Sequence, residues 1–148
     1  MIDSGKQALK LLYICEQDLT RKLGEERARQ FVAQFEYVIY QGSNENETSL
    51  MANLVLPAAT YAEVTGTFTN FDGRVQKVNA GIEPLGDSMP AWQIVCKLAK
   101  AAGFDYGYES SEEVFADLAQ TVTEFECLSY EKIGDQGAKL AESAPVQA

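Results

Sequence analysis

The chain has 148 residues, enough for one domain with its own core, and its hydrophobic fraction of 46% is ordinary. Twenty-two acidic residues against 12 basic give a net charge of −10, which sets the surface against phosphate backbones and anionic lipid and in favour of a basic protein face. With no histidine and only three scattered cysteines, the chain cannot build a Ser-His-Asp, Cys-His or imidazole-metal site, and it lacks the four thiolates of an ordinary iron–sulfur cluster.

Leu9 to Cys15, LKLLYIC, is a continuous apolar run and reads as a buried strand of a parallel sheet. Thr20 to Glu36 carries a helical pattern, with Leu23, Ala28, Phe31, Val32 and Phe35 on one face and Glu25 placed to pair with Arg29. Tyr37 to Tyr40 reads as the next strand, so the segment is a βαβ unit with parallel pairing. Gln41 to Thr48, QGSNENET, is polar, and Ser49 to Asn53 fits one helical turn. Leu54 to Leu56 reads as a third buried strand, stopped by Pro57. Leu54 to Ala62, the longest mostly apolar stretch, holds this proline and is too short to span a bilayer, which takes about 20 residues. Met1 to Lys10 shows no secretory apolar region.

Thr65 to Val78 reads as a hairpin, with Asp72-Gly73 as a type I′ turn. Pro84 to Pro90 is a loop, and Ser88 or Met89 is placed to cap a helix with Pro90 in its first turn. That helix carries Trp92, Val95 and Ala99 on one stripe, with Ile94 and Leu98 alongside, and Gly103 just past its end. Ser110 with Glu113 forms a capping box ahead of Val114, Phe115, Leu118 and Val122. Residues 1–133 are expected to form the folded domain and 134–148, rich in Gly, Ala, Ser and Gln, a frayed tail. The fold class is α/β: a partial doubly wound, mainly parallel sheet with an appended β-hairpin and C-terminal helices.

Three places invite a site. The turn Cys15-Glu16-Gln17-Asp18 follows the first strand, where α/β sheets bind ligands, but it has no glycine and its acids repel phosphate. Asp18 or Thr20 as a helix cap accounts for it better. QGSNENET has groups suited to a base or ribose, and it also has the composition of a solvated loop, the reading favoured here. The hairpin gathers Thr67, Thr69, Asn70 and Asp72 around Arg74, whose guanidinium suits a phosphate, Asp72 or a neighbouring carboxylate equally. Cys15 and Cys96 lie in apolar patterns and read as core residues, and Cys127 in EFECLSY has no basic neighbour to activate it. Odd in number and far apart, the thiols suit a reducing compartment.

The run LVLPAATYAEVTGTFTNFDGRVQ, Leu54 to Gln76, resembles the signature of the molybdopterin oxidoreductase superfamily. PAWQIVCKLAKAAG from Pro90 and YESSEEVFADLA from Tyr108 resemble its flanking segments, and the likeness covers about residues 7 to 122. Within the superfamily, Tyr40-Gln41-Gly42 is similar to the large iron–sulfur subunit of respiratory complex I, since Gly42 stands where cofactor-bearing members carry an acid that contacts the guanine of the pterin dinucleotide. That resemblance implies a structural and assembly role in an NADH:quinone oxidoreductase. It implies no catalytic residue, metal or cofactor in this chain, with iron–sulfur clusters held in N-terminal parts of the subunit. Partners would be the rest of that subunit and other peripheral-arm subunits. The location would be the cytoplasm, or the cytoplasmic face of the inner membrane as part of a membrane-bound complex. The alternative is a molybdopterin guanine dinucleotide-binding domain of a formate dehydrogenase-like enzyme, with Gln41, Ser43, Asn44, Thr69, Asn70 and Arg74 at the cofactor. A free-standing adaptor that reuses the fold is a third reading.

Overall fold

The computed structural model describes residues 9–141. The chain divides into two compact units, and within the described range the first holds residues 9–60 and 85–91, the second 61–84 and 92–141. Together they give a mixed α/β fold with one parallel sheet, one antiparallel sheet and several helices.

The first unit is built on three parallel strands, β1 (Leu11–Cys15), β2 (Tyr37–Gly42) and β3 (Leu54–Pro57), in the order β1-β2-β3. Leu12 lies opposite Val38 and Ile14 opposite Tyr40, so the two-residue alternation of both strands puts these four on one face. Ile14, Val38 and Tyr40 are buried there with Val32, and Leu12, Leu19, Phe31 and Phe35 pack against them. The connection is helical, as the periodicity requires, but it is two helices, α1 (Leu19–Leu23) and α2 (Glu25–Val32). Gly24 separates them at φ 80° and ψ 154°, a backbone conformation essentially closed to residues with a Cβ. The break takes Leu23 off the expected apolar face and leaves it 42% exposed, whereas Ala28 and Val32 are buried as the pattern implies. Arg29 and Glu25 form the expected ion pair at 3.0 Å.

The outer strands are less buried than their sequences suggest. Leu9 and Leu11 are exposed, and of β1 only Ile14 is fully covered. β3 carries Leu54 and Val55 exposed, because among the described residues it pairs along its length only with β2. Beyond it, Ala58 forms a single parallel bridge to Met89, and Ala59 N–H donates to the Met89 carbonyl at 2.9 Å. A 3₁₀ turn over Ser49–Met51 stands where one helical turn is expected.

The second unit contains an antiparallel sheet of β4 (Gly66–Thr69), β5 (Arg74–Val78) and β6 (Ala138–Lys139), in that order. The hairpin forms, but its turn is not type I′. Gly73 has φ +70° while Asp72 does not have a positive φ, and Asn70 N–H donates to the Arg74 carbonyl at 2.9 Å. This is a three-residue loop closed by a left-handed glycine, and the Asn70 Oδ1 that accepts from the Asp72 and Arg74 amides stabilises it. Residues 134–141, expected to fray, contain the helix α5 (Tyr130–Ile133) C-cap and β6, whose Ala138 lies opposite Val75. The rest of that segment, 142–148, lies outside the described residues, as does the N-terminus through residue 8.

Helix α3 (Ala91–Ala101) begins directly after Pro90 and ends in a Schellman motif. Phe104 N–H donates to the Ala99 carbonyl at 2.9 Å and Gly103 N–H to the Lys100 carbonyl at 3.1 Å. Its buried position is Ile94, and Val95, expected on the inner stripe, is 45% exposed. Helix α4 (Ser111–Thr121) carries the expected cap: Ser110 Oγ accepts from the Glu113 amide at 3.2 Å, while the Glu113 carboxylate accepts from the Glu109 amide at 2.7 Å. Phe115 and Ala119 are buried with Val75 and Ile133, and Phe115 meets the Phe125 and Tyr130 rings at 6.0 and 5.6 Å. No helix among the described residues is long and apolar enough to cross a membrane.

Candidate functional site

The loop between β2 and β3 is held from below by the turn after β1. That turn leaves the sheet with Glu16 at φ 55°, and the Glu16 amide donates to the Gln41 carbonyl at 2.8 Å. Asp18 then caps α1, its Oδ1 accepting from the Thr20 amide at 3.0 Å and the Thr20 hydroxyl at 2.6 Å. The same oxygen accepts from the Thr48 hydroxyl at 3.1 Å, and Arg21 Nε lies 3.2 Å from Oδ2. The Thr20 hydroxyl, with help from Thr48 and the turn amides, holds the Asp18 carboxyl below its usual range. A turn with this use for its carboxylate is a helix cap and not a phosphate cradle.

The loop itself is not merely solvated. Asn46 Oδ1 accepts from the amides of Thr48 and Ser49 at 3.0 Å each, and Asn46 Nδ2 donates to the Tyr40 hydroxyl at 2.6 Å. Ser49 Oγ donates to the Asn46 carbonyl at 2.7 Å and accepts from the Asn46 amide at 3.0 Å. Thr48 and Ser49 are buried. Sequence reasoning placed Asn46 and Thr48 in a candidate polar loop but missed the network they form with Ser49. The signal for it was Asn followed two and three residues later by Thr and Ser, an Asx-turn spacing.

Above this network lies an open cleft of about 300 Å³, lined by Gly42, Ser43, Asn44, Glu45, Ser49, Leu50, Val55 and Pro57. It sits at the carboxyl ends of β2 and β3, the side on which parallel α/β sheets take ligands. Its volume is at the low end of the roughly 300–1,000 Å³ of ligand sites, room for one end of a dinucleotide. The polar contribution is two hydroxyls, one amide and one carboxylate over an apolar floor, with no cation in the lining. Such a set suits the donor edge and flat face of a nucleobase and does not suit a phosphate.

Of the residues expected at a cofactor, Ser43 and Asn44 line this cleft, with Asn44 Nδ2 donating to Ser43 Oγ at 3.2 Å. Gln41 does not. Its side chain is fully buried, with the Tyr13 hydroxyl donating to Oε1 and Nε2 facing Cys15 Sγ at 3.5 Å. Thr69, Asn70 and Arg74 belong to the second unit. There Asn70 is spent on the hairpin turn, and Arg74 Nη1 donates to the carbonyls of Gly137 at 3.1 Å and Gln136 at 3.4 Å. Through Nη1, Arg74 thus anchors the chain leading into β6.

Cys15 is exposed, not a core residue, because it ends β1, and Cys96 is half-buried. Partial burial of its sulfur, with the Glu16 charge, pushes the Cys15 thiol up and keeps it protonated. No group of three or more His, Cys, Asp or Glu residues converges on a possible metal site among the described residues.

Gly42 has a local explanation. A Cβ there would lie 2.5 Å from Tyr40 Cε1 and 2.7 Å from its hydroxyl. Tyr40 is 2% exposed and its hydroxyl is bound to Asn46, so the ring has nowhere to go. Ring packing against Tyr40 accounts for a glycine at this position.

The model of the molybdopterin oxidoreductase family matches residues 1–101, more than half of the chain. The chain belongs to the molybdopterin oxidoreductase family. It is 32% identical over 136 residues to the F420-dependent formate dehydrogenase 2 subunit alpha of Methanococcus maripaludis, covering 90% of this chain and 20% of that protein. It is 29% identical over 140 residues to the F420-dependent formate dehydrogenase subunit alpha of Methanocaldococcus jannaschii, covering 93% of this chain and 21% of that protein. The chain therefore spans about a fifth of the length of these relatives. They carry formate dehydrogenase names and not those of complex I subunits, so the broad resemblance read from Leu54 to Gln76 stands. The narrower one read from Tyr40-Gln41-Gly42 finds no support in the names of these relatives.

Proposed function

We propose that this chain is the part of a formate dehydrogenase-like molybdoenzyme alpha subunit that receives the guanosine end of a molybdopterin guanine dinucleotide. The observation that carries the reading is the cleft beyond β2 and β3, where Ser43, Asn44 and Glu45 stand over Leu50, Val55 and Pro57. Guanine presents N1–H and a 2-amino group side by side, a donor pair complementary to the Glu45 carboxylate, while adenine offers no such pair. Ser43 and Asn44 supply hydrogen bonds for the ribose or base edge, and the apolar residues take the ring face. Phosphates find no cation in the lining and belong to residues elsewhere in the full subunit. The molybdenum-bearing end of the cofactor supplies the redox chemistry, and the residues named here bind and orient its far end. Relatives named as alpha subunits support partners in the remaining polypeptide of that subunit and in other subunits of the enzyme.

The test is equilibrium binding of guanosine monophosphate and adenosine monophosphate to the 148-residue chain. The reading expects a preference for the guanosine nucleotide, and Glu45→Gln is expected to weaken it about tenfold through loss of a charge-assisted hydrogen bond. Equal binding of both nucleotides, or none, would overturn it.

A further inference from the structure

The cleft-lining loop is pinned at a residue that is not itself part of the lining. Thr48 is fully buried and does not line the cleft, yet its hydroxyl makes two hydrogen bonds across 29 and 30 residues of chain. It accepts from the Leu19 amide at 2.8 Å and donates to Asp18 Oδ1 at 3.1 Å. Leu19 is the first residue of α1, so its amide is one of the donors that a helix start leaves without an intrahelical partner. One hydroxyl therefore satisfies a helix terminus, engages that helix's capping carboxylate and fixes the loop. From Thr48 the constraint runs through the Asn46 side chain, which accepts from the Thr48 and Ser49 amides and donates to Tyr40. Ser49 lines the cleft, and Ser43 to Glu45 are the chain between this clamp and β2.

We infer that Thr48 and Asp18 are positioning residues for the ligand of this cleft, acting through the loop 43–49 without touching the ligand. The role of the ligand rests on the function proposed above, whereas the clamp on the loop does not. The geometry distinguishes this role from generic core packing. Valine in place of Thr48 keeps the side-chain shape and removes only the hydroxyl, leaving the part-buried Leu19 amide without this acceptor. Serine keeps the hydroxyl. Asparagine at 18 keeps an acceptor oxygen for Thr20 and Thr48, while alanine does not.

The experiment pairs amide hydrogen exchange with guanosine monophosphate binding in the full chain, for wild type, Thr48→Val, Thr48→Ser, Asp18→Ala and Asp18→Asn. Thr48→Val and Asp18→Ala are expected to speed exchange at Leu19, Thr48 and Ser49 by roughly tenfold, the effect of losing one or two hydrogen bonds. They are also expected to weaken nucleotide binding several-fold, with Thr48→Ser and Asp18→Asn close to wild type in both readouts. A variant that unfolds is replaced in the comparison by its partner at the other position. Unchanged exchange in Thr48→Val would overturn the inference. So would faster exchange with unaltered nucleotide affinity, since the loop would then move without consequence for the cleft. Faster exchange in a chain whose wild type binds no guanosine nucleotide would sink the proposed function and leave the clamp standing.

Discussion

The two units of this chain solve the same problem by opposite chemistry. In the second unit the cluster of Val75, Phe115, Ala119 and Ile133 is apolar, with Glu63 buried elsewhere in the unit and side-chain caps at the helix ends. In the first unit buried polar side chains, Gln41, Thr48 and Ser49, stand beside a small apolar cluster. Apolar contacts are non-directional and tolerate repacking, whereas a hydrogen-bonded network holds atoms at fixed positions but fails sharply when one member is lost. A region that must present a loop to a ligand gains from the second solution. A region that serves as a frame gains from the first.

The contrast can be broken by substitution, beginning where the effect is largest. Phe115→Ala removes a buried ring with two aromatic neighbours and is expected to destabilise the chain by about 3–5 kcal/mol, read as a shift in the denaturant midpoint. Gly42→Ala drives a methyl into the Tyr40 ring, which is expected to cost about 1–3 kcal/mol and to release the Tyr40–Asn46 hydrogen bond. Nuclear magnetic resonance shifts at Asn46 check that release, and unchanged shifts would mean the ring is freer than its burial implies. Ser110→Ala removes the α4 cap and is expected to lower stability by about 1 kcal/mol with no change at the cleft.

Much of this architecture is legible in the residues. The apolar runs at Leu11 to Cys15 and Tyr37 to Tyr40, with a 3.6-residue pattern between them, specify strand, helix and strand, and parallel pairing follows. Caps are local chemistry, so Gly103 and Ser110 are visible without a structure. Gly24 is not, because one glycine in a strong periodic pattern is usually tolerated, and only its φ shows that the helix breaks there. β6 is hidden because two residues in a Gly- and Ala-rich segment carry no strand signal. It exists because the Arg74 guanidinium and the edge of β5 hold it, a long-range contact invisible to local pattern. At the candidate cleft, the polar loop that holds Ser43 and Asn44 is visible in the sequence, while the burial of Gln41 and the bonds of Arg74 Nη1 to two backbone carbonyls are not. Composition reveals which groups can bind, but not which are already engaged.

Two pH effects, smaller still, separate the units. Asp18 in the first has its folded pKa lowered chiefly by the Thr20 hydroxyl, so its contribution is present above the unfolded carboxylate value and is lost as pH falls through the folded one. Asp18→Asn is expected to flatten that acid limb in a stability-against-pH series. Tyr108 in the second donates to Asp117 and is pushed up to about 12, chiefly by that hydrogen bond. Its contribution is present below pH 10 and disappears as pH rises toward 12, which an ultraviolet absorbance titration of wild type against Tyr108→Phe reads directly.

The most direct measurement is the set of intermolecular nuclear Overhauser contacts between guanosine monophosphate and the methyl groups of this chain. Contacts from the base proton to Leu50 and Val55, on the floor of the cleft, are the expected result. Contacts confined to other methyls, with Leu50 and Val55 silent under saturating nucleotide, would contradict the assignment of the cleft.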